Sequence, residues 1–134
     1  QKPKVLRQGT DITLVGASYT TQLCVKAAEE LEKDGINCEI VDLRVINPIN
    51  YDAVVASVEK TGNLCVVDGG NQTCGLAGEV IAGVTERIHP SVLKNSPKRI
   101  TIPDAPAPTS KPLEESYYFK PQDIINSVKN IINN

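Results

Sequence analysis

The sequence predicts an α/β fold of three layers, with a mainly parallel sheet and helices on both faces, and two observations carry that prediction. Short β-branched runs alternate with segments of helical spacing along most of the chain. One of those runs, Leu64-Cys-Val-Val-Asp68, is continuously apolar, as strands covered on both faces are. Alternating strands and helices imply parallel pairing through right-handed crossovers, which layer the helices over both faces of one sheet.

The elements follow in order. Asp11-Ile-Thr-Leu-Val15 is short and β-branched and ends at Gly16, so it reads as a buried strand. From Thr20 to Asp34 the spacing becomes helical, with Leu23, Ala27 and Leu31 on one stripe, Lys26, Glu29, Glu30 and Lys33 outside, and Gly35 as the stop. Cys38-Glu-Ile-Val-Asp-Leu43 is a second strand. After an Asn47-Pro48 turn, Asn50 is placed to cap a helix whose Val54, Val55 and Val58 face inward until Gly62 ends it. Leu64–Asp68 is the third strand, followed by a Gly-rich turn and a helix carrying Leu76, Val80, Ile81, Val84 and Ile88. Arg99-Ile-Thr-Ile102 is the fourth. Pro103, Pro106, Pro108 and Pro112 then keep the chain extended along the surface, because proline removes donors and fixes φ. Pro121 opens the last helix, Asp123 complements its dipole, and Ile124, Ile125, Val128, Ile131 and Ile132 form its buried stripe. No repeat beyond this alternation and no internal boundary is visible, so residues 1–134 read as one domain.

Composition narrows the function. A chain of 134 residues can bury roughly two-thirds of its unfolded surface without disulfides or metals. Net charge is −2 with no basic cluster, which argues against nucleic acid, and no apolar run approaches the roughly 20 residues of a membrane helix. Cys24, Cys38, Cys65 and Cys74 are scattered without a C-x-x-C pair, the usage of small core residues in a reducing compartment. The segment before Asp11 has neither a secretory apolar core nor the Arg/Ser-rich pattern of a transit peptide.

In open α/β sheets ligands bind beyond the carboxyl ends of the strands, so Gly16–Thr20, Leu43–Pro48, Asp68–Gly75 and Pro103–Ser110 are expected to share one edge. Within them Ser18, Asp68, Gly69, Gly70 and Gly75 are the candidate site residues. Glycines ahead of a helix can offer N–H groups to an anion. Here there is no G-x-G-x-x-G, and although Gly70 and Gly75 have Walker spacing, Leu76 and Ala77 stand where Lys and Ser/Thr are required. Tight turning and close helix packing is the stronger reading, with a free-standing nucleotide-binding or small-molecule module as the alternative. His89 is the only histidine and reads as an exposed residue at a helix end; with four scattered cysteines it makes a poor zinc set. Glu114 and Glu115 read as solvated charges. Tyr117, Tyr118 and Phe119 concentrate three of the five aromatics, either as interface anchors or as pins for the Pro-rich stretch. No catalytic, cofactor-binding or metal-ligating residue is assigned to this chain.

These motifs, taken together, resemble a known family. Gly9-Thr-Asp-Ile-Thr-Leu-Val15, Glu39-Ile-Val-Asp-Leu-Arg-Val-Ile-Asn-Pro48, Ser57-Val-Glu-Lys-Thr-Gly62, Gly75-Leu-Ala-Gly-Glu79 and Pro103-Asp-Ala-Pro-Ala-Pro108 with Leu113-Glu114 are similar, in order and spacing, to the C-terminal domain of the beta subunit of pyruvate and branched-chain 2-oxo acid dehydrogenases. The resemblance runs from Val5 to Ile132. Transketolase and 1-deoxyxylulose-5-phosphate synthase share the fold, but their motifs fit less well; a transketolase-type carboligase fragment is the further alternative.

The resemblance implies a parent enzyme that decarboxylates a 2-oxo acid on thiamine diphosphate and magnesium and passes the acyl group to a lipoyl arm. It implies that the cofactor lies between an alpha-subunit-like domain and an N-terminal pyrimidine-binding domain of the beta subunit, so that none is bound here. The implied role is assembly and docking, against those two partners and a dihydrolipoyl acyltransferase core, in the mitochondrial matrix or a bacterial cytoplasm. The candidate interface and docking residues are Asn95, Asp104, Glu114, Glu115, Tyr117 and Tyr118. Two departures stand out. Relatives carry an acidic residue in an Asp-Ala-Pro segment where this chain has Asn95-Ser-Pro97, and many carry Glu where Asp68 stands and a more aromatic loop than Asn71-Gln-Thr-Cys74. The stretch Pro103–Ser110 leans toward the branched-chain or bacterial-type enzymes. A domain freed from its sisters should expose apolar surface and self-associate, so a homo-oligomer is expected.

Overall fold

The computed structural model describes residues 2–44, 48–103 and 118–133. The elements are β1 (Lys4–Arg7), β2 (Ile12–Gly16), α1 (Tyr19–Lys33), β3 (Cys38–Asp42), α2 (Asp52–Thr61), β4 (Leu64–Asn71), α3 (Leu76–Thr85), a 3-10 turn (Pro90–Val92), β5 (Lys98–Ile102) and α4 (Pro121–Ile132). They build a five-stranded sheet in the order β1-β3-β2-β4-β5. β3, β2, β4 and β5 are parallel, and β1 alone runs antiparallel, on the outside of β3.

Strand alternation sorts the core into two layers. Ile12 and Leu14 of β2, Cys38 and Ile40 of β3, and Cys65 and Val67 of β4 pack against α1 and α4. Val15, Val41, Leu64 and Val66 point the other way, onto Val54 and Val58 of α2 and Ala77, Val80 and Val84 of α3. The predicted stripes are in place: Ile124, Ile125, Val128 and Ile131 of α4 are buried, and Gly35 and Gly62 follow their helices with φ of 80° and 77°. Positive φ favours a residue without Cβ at these stops. Cys24, Cys38 and Cys65 are buried, and burial pushes the Cys38 and Cys65 thiols up to about 12 and Cys24 higher still, so all three stay protonated as core residues.

Several boundaries differ from the sequence reading. β1 was not anticipated, because Val5 and Leu6 alone carry its apolar signal and its strand character comes from pairing with β3. Asn50 is not the N-cap residue of α2, which is Tyr51; the Asn50 carboxamide still accepts the Asp52 N–H at 3.0 Å. α3 stops at Thr85, yet Ile88 beyond it remains buried. The Pro-rich stretch expected to run extended, apart from Pro103, lies outside the described residues.

Two polar residues inside buried strands need partners, and α2 supplies them. Thr13 Oγ1 lies 2.7 Å from Ser57 Oγ and 2.8 Å from Thr61 Oγ1. The Glu39 carboxylate, 4% exposed, accepts the Gly9 N–H at 3.1 Å and is ion-paired with Lys60, which also donates to Gln8 Oε1 at 3.0 Å. Burial by itself would raise the Glu39 pKa. The hydrogen bonds from Lys60, Ser57 and the Gly9 N–H outweigh it and hold the carboxyl below its ordinary value. A depressed native pKa contributes stability that is full above the unfolded value, near 4.3, and is lost as pH falls through the native value. Denaturant titrations should therefore show Glu39→Gln about 2 kcal/mol less stable than the wild type at pH 7. That gap should close as the pH falls below about 4; a gap constant with pH would deny the ionised pair its role.

Candidate functional site

The carboxyl ends of the parallel strands are where the sheet can hold a ligand, and strand order says where along that edge. β2 feeds β3 on one side, whereas β3 crosses back over β2 to reach β4 on the other. The winding thus reverses between β2 and β4, at the loops containing Ser18 and Asp68–Gly75. The loop after β3 is tied in as well, since the Leu43 N–H donates to Gly16 O at 3.0 Å. Gly16–Thr20, Asp68–Gly75 and the start of the loop after β3 therefore share an edge; residues 45–47 of that loop, and all of Pro103–Ser110 but Pro103, lie outside the described residues.

Strain collects on this edge. The non-glycine residues with positive φ among the described residues are Ser18 (59°), Arg44 (63°) and Cys74 (58°), one in each of the three loops. Ser18, with ψ of −132°, precedes α1 without a side-chain cap bond. Thr20 Oγ1 instead bridges the Ala17 N–H and carbonyl at 2.9 and 2.8 Å. The Thr21 hydroxyl is buried with no hydrogen-bond partner among the described residues, against Gly16, where a Cβ would lie 3.0 Å from it.

The chain's own side chains fill the positions a ligand would need. Asp68, 9% exposed, accepts the Gly70 N–H through Oδ1 at 2.9 Å and the Ala77 N–H through Oδ2 at 3.1 Å. Its carboxylate thus sits at the amino end of α3, the place an incoming phosphate would take. Tyr19 closes the crevice from the β2 side: its hydroxyl lies 2.4 Å from where a Gly69 Cβ would be. A side chain at Gly69 would have to push the exposed Tyr19 ring out of the crevice. Gly70 is open apart from Asp68, and Gly75, extended with φ −91°, is the N-cap of α3. Within the described residues the Gly-rich turn packs against Tyr19 and caps α3. Asp68→Ala leaves the Gly70 and Ala77 N–H groups without that acceptor and should cost about 1 to 2 kcal/mol in thermal or chemical unfolding. An unchanged midpoint would contradict the capping role.

The remaining candidates lie elsewhere. His89 is exposed in the connection from α3 to β5, where its Nδ1 accepts the Ser91 N–H at 3.1 Å and pairs with Ser91 Oγ at 2.7 Å, closing the 3-10 turn. Asn95 precedes β5, and its Nδ2 donates to Asn63 Oδ1 at 2.9 Å. Asp104, Glu114, Glu115 and Tyr117 fall outside the described residues. Tyr118 is exposed, while Phe119 packs on the core formed with α1 and α4. The described structure therefore does not join the strand-end loop to Asn95. The Thr13, Glu39 and Lys60 network was not singled out from the sequence; a Thr and a Glu inside otherwise apolar strands were the available signal.

Comparison with known proteins identifies the family of this fold. A family model described as "Transketolase, C-terminal domain" matches residues 1–124. The chain belongs to that family. The chain is also similar to proteins named pyruvate dehydrogenase E1 component subunit beta. The mitochondrial protein of Mus musculus is 39% identical over 132 residues, which are 98% of this chain and 37% of that one. That of Ascaris suum is 38% identical over 130 residues, 97% and 36%. The Bacillus subtilis protein is 35% identical over 131 residues, 98% and 40%. This chain thus spans well under half the length of these relatives. Among solved structures, a split-gene transketolase titled an inactive beta4 tetramer superposes with a TM-score of 0.84 at 24% identity, covering 98% of this chain and 42% of that one. A 2-oxoglutarate:ferredoxin oxidoreductase from Magnetococcus marinus gives 0.64 at 15%, covering 97% and 19%. Both show the same fold.

Proposed function

We propose that this chain is the assembly and docking domain of the beta subunit of a thiamine-diphosphate-dependent 2-oxo acid dehydrogenase, pyruvate dehydrogenase being the form its relatives indicate. The observation that carries the reading is identity of 35 to 39% along 97 to 98% of this chain to subunits of that name. The whole enzyme decarboxylates a 2-oxo acid and acylates a lipoyl group.

The closed strand-end edge supports a structural role for this part of it. Thiamine diphosphate needs an anion cradle and a magnesium site. Here Asp68 fills the amino end of α3, and no group of three or more His, Cys, Asp or Glu among the described residues could hold a metal ion. The residues present do not fit the cofactor, which we assign to the alpha subunit or domain and the N-terminal domain of the same enzyme. Those two, together with a dihydrolipoyl acyltransferase core, are the proposed partners, with self-association of the chain when alone. Apolar contacts for such partners are available at Leu6, Tyr19 and Tyr118, the exposed large hydrophobics among the described residues. No described helix is long and apolar enough to cross a membrane. Relatives named mitochondrial and one from Bacillus subtilis support the mitochondrial matrix or a bacterial cytoplasm as the proposed compartment.

The test is a turnover assay. The purified chain supplied with pyruvate, thiamine diphosphate, magnesium and a dye acceptor should reduce no dye. Sustained reduction by the chain alone would overturn the reading.

A further inference from the structure

We infer that β5 is a docking edge for an acidic, extended segment of a partner protein, which adds to the sheet as a further strand. The sheet order leaves β5 at an edge, paired with β4 on one side and with no other strand among the described residues. Its first two residues send one cation to each face. Ile100 packs into the layer formed with α1 and α4, so Lys98, two residues earlier, lies on that same face. Arg99 faces α3, where its Nη1 donates to Gln72 O at 2.8 Å. Gly78 allows that approach, since a Cβ there would lie 3.3 Å from Arg99 Nη1.

A groove flanks the strand on each face. One, of about 560 Å³, runs between β5 and α3 over Gly78, Ile81 and Ala82, with Lys98 and Arg99 on its wall. The other, of about 460 Å³, lies between the start of β5 and α4 and is lined by Asn95, Lys98, Ser127 and Asn130. Neither has a carboxylate among its described lining residues, in a chain whose net charge is −2.

This geometry selects an occupant. An added strand turns successive side chains to opposite faces, so alternating acidic positions meet Lys98 on one side or Arg99 on the other, while its backbone pairs with β5. A second copy of β5 paired in parallel register would set like charges opposite one another, and in any register it offers no carboxylate to Lys98 or Arg99. The inference names a surface and a partner chemistry that the docking role above leaves open, and it stands or falls without that role.

The experiment is an NMR titration of the 134-residue chain with a synthetic peptide of alternating Glu and Val, and separately with its Lys and Val counterpart. The acidic peptide should shift the Lys98–Ile102 amides together with those of the groove residues on α3 and α4. Lys98→Glu, an exposed change that spares the Arg99 bond to Gln72, should weaken the acidic peptide and admit the basic one. Lys98→Glu with Arg99→Gln should weaken the acidic peptide about tenfold. Equal binding of the two peptides, or no shift along β5, would overturn the proposal. So would β5 shifts that follow protein concentration alone, which would make a second copy the occupant. Acidic-peptide binding that emerges only in Glu114→Gln/Glu115→Gln would give the grooves to the chain's own segment, and that also refutes it.

Discussion

Gly9→Ala should be among the most damaging single-methyl additions the chain can receive. Gly9 is buried, and a Cβ built on it would stand 2.3 Å from the Cys38 carbonyl carbon and 2.5 Å from both the Cys38 oxygen and the Glu39 nitrogen. Those neighbours are backbone atoms of β3, which cannot rotate aside as the end of a side chain can. Relief requires moving the connection between β1 and β2 off β3, and that breaks the Gly9 N–H bond to Glu39. Overpacking plus the lost bond to a charged group gives a cost of about 3 kcal/mol or more. For a domain of this size that lowers the melting midpoint by roughly 10 °C. Calorimetry checks it; a loss under about 1 kcal/mol would mean that the close approach is not there. Gly9 opens the first family-like motif of the chain, and this contact is a physical reason for a glycine at that place.

Leu14→Ala should cost about 3 to 5 kcal/mol, the range for a fully buried leucine whose surroundings cannot collapse. Leu14 is 0% exposed at the middle of β2, the strand flanked by β3 and β4, and belongs to the layer shared with α1 and α4. Backbone pairing on both sides and helices above leave little freedom to close the cavity. The effect reaches the strand-end edge too, because β2 leads directly into the Ser18 loop and Tyr19. Chemical denaturation measures the loss, and cysteine labelling offers a second readout, since opening of this layer exposes Cys24, Cys38 and Cys65. A variant that keeps those thiols protected and loses less than about 1 kcal/mol would contradict the packing described.

What was legible in the sequence, and what was not, follows the range of the interactions. The parallel strands declared themselves because each is a β-branched run bounded by turn residues, and Gly35 and Gly62 marked helix stops through a purely local requirement for positive φ. β1 was invisible because two apolar residues between Lys4 and Arg7 make no pattern; β3 makes it a strand. The contacts of the Gly-rich turn lie at a distance in sequence. Tyr19 is fifty residues from Gly69, and no periodicity links them. The same holds for Thr13 with Ser57 and Thr61, and for Glu39 with Lys60, where the sequence showed polar residues in buried strands without showing their partners. Asn95 was noted as a missing charge; the structure gives it a bond to Asn63 instead.

The central claim is that this chain docks and assembles but holds no cofactor. Isothermal titration tests it most directly, first with thiamine diphosphate and magnesium, then with the subunit-binding domain of the matching acyltransferase. A docking domain without a cofactor site gives no heat with the cofactor and saturable heat with the protein partner. Saturable binding of thiamine diphosphate, with chemical shifts centred on Asp68–Gly75, would contradict it and make the strand-end edge a ligand site.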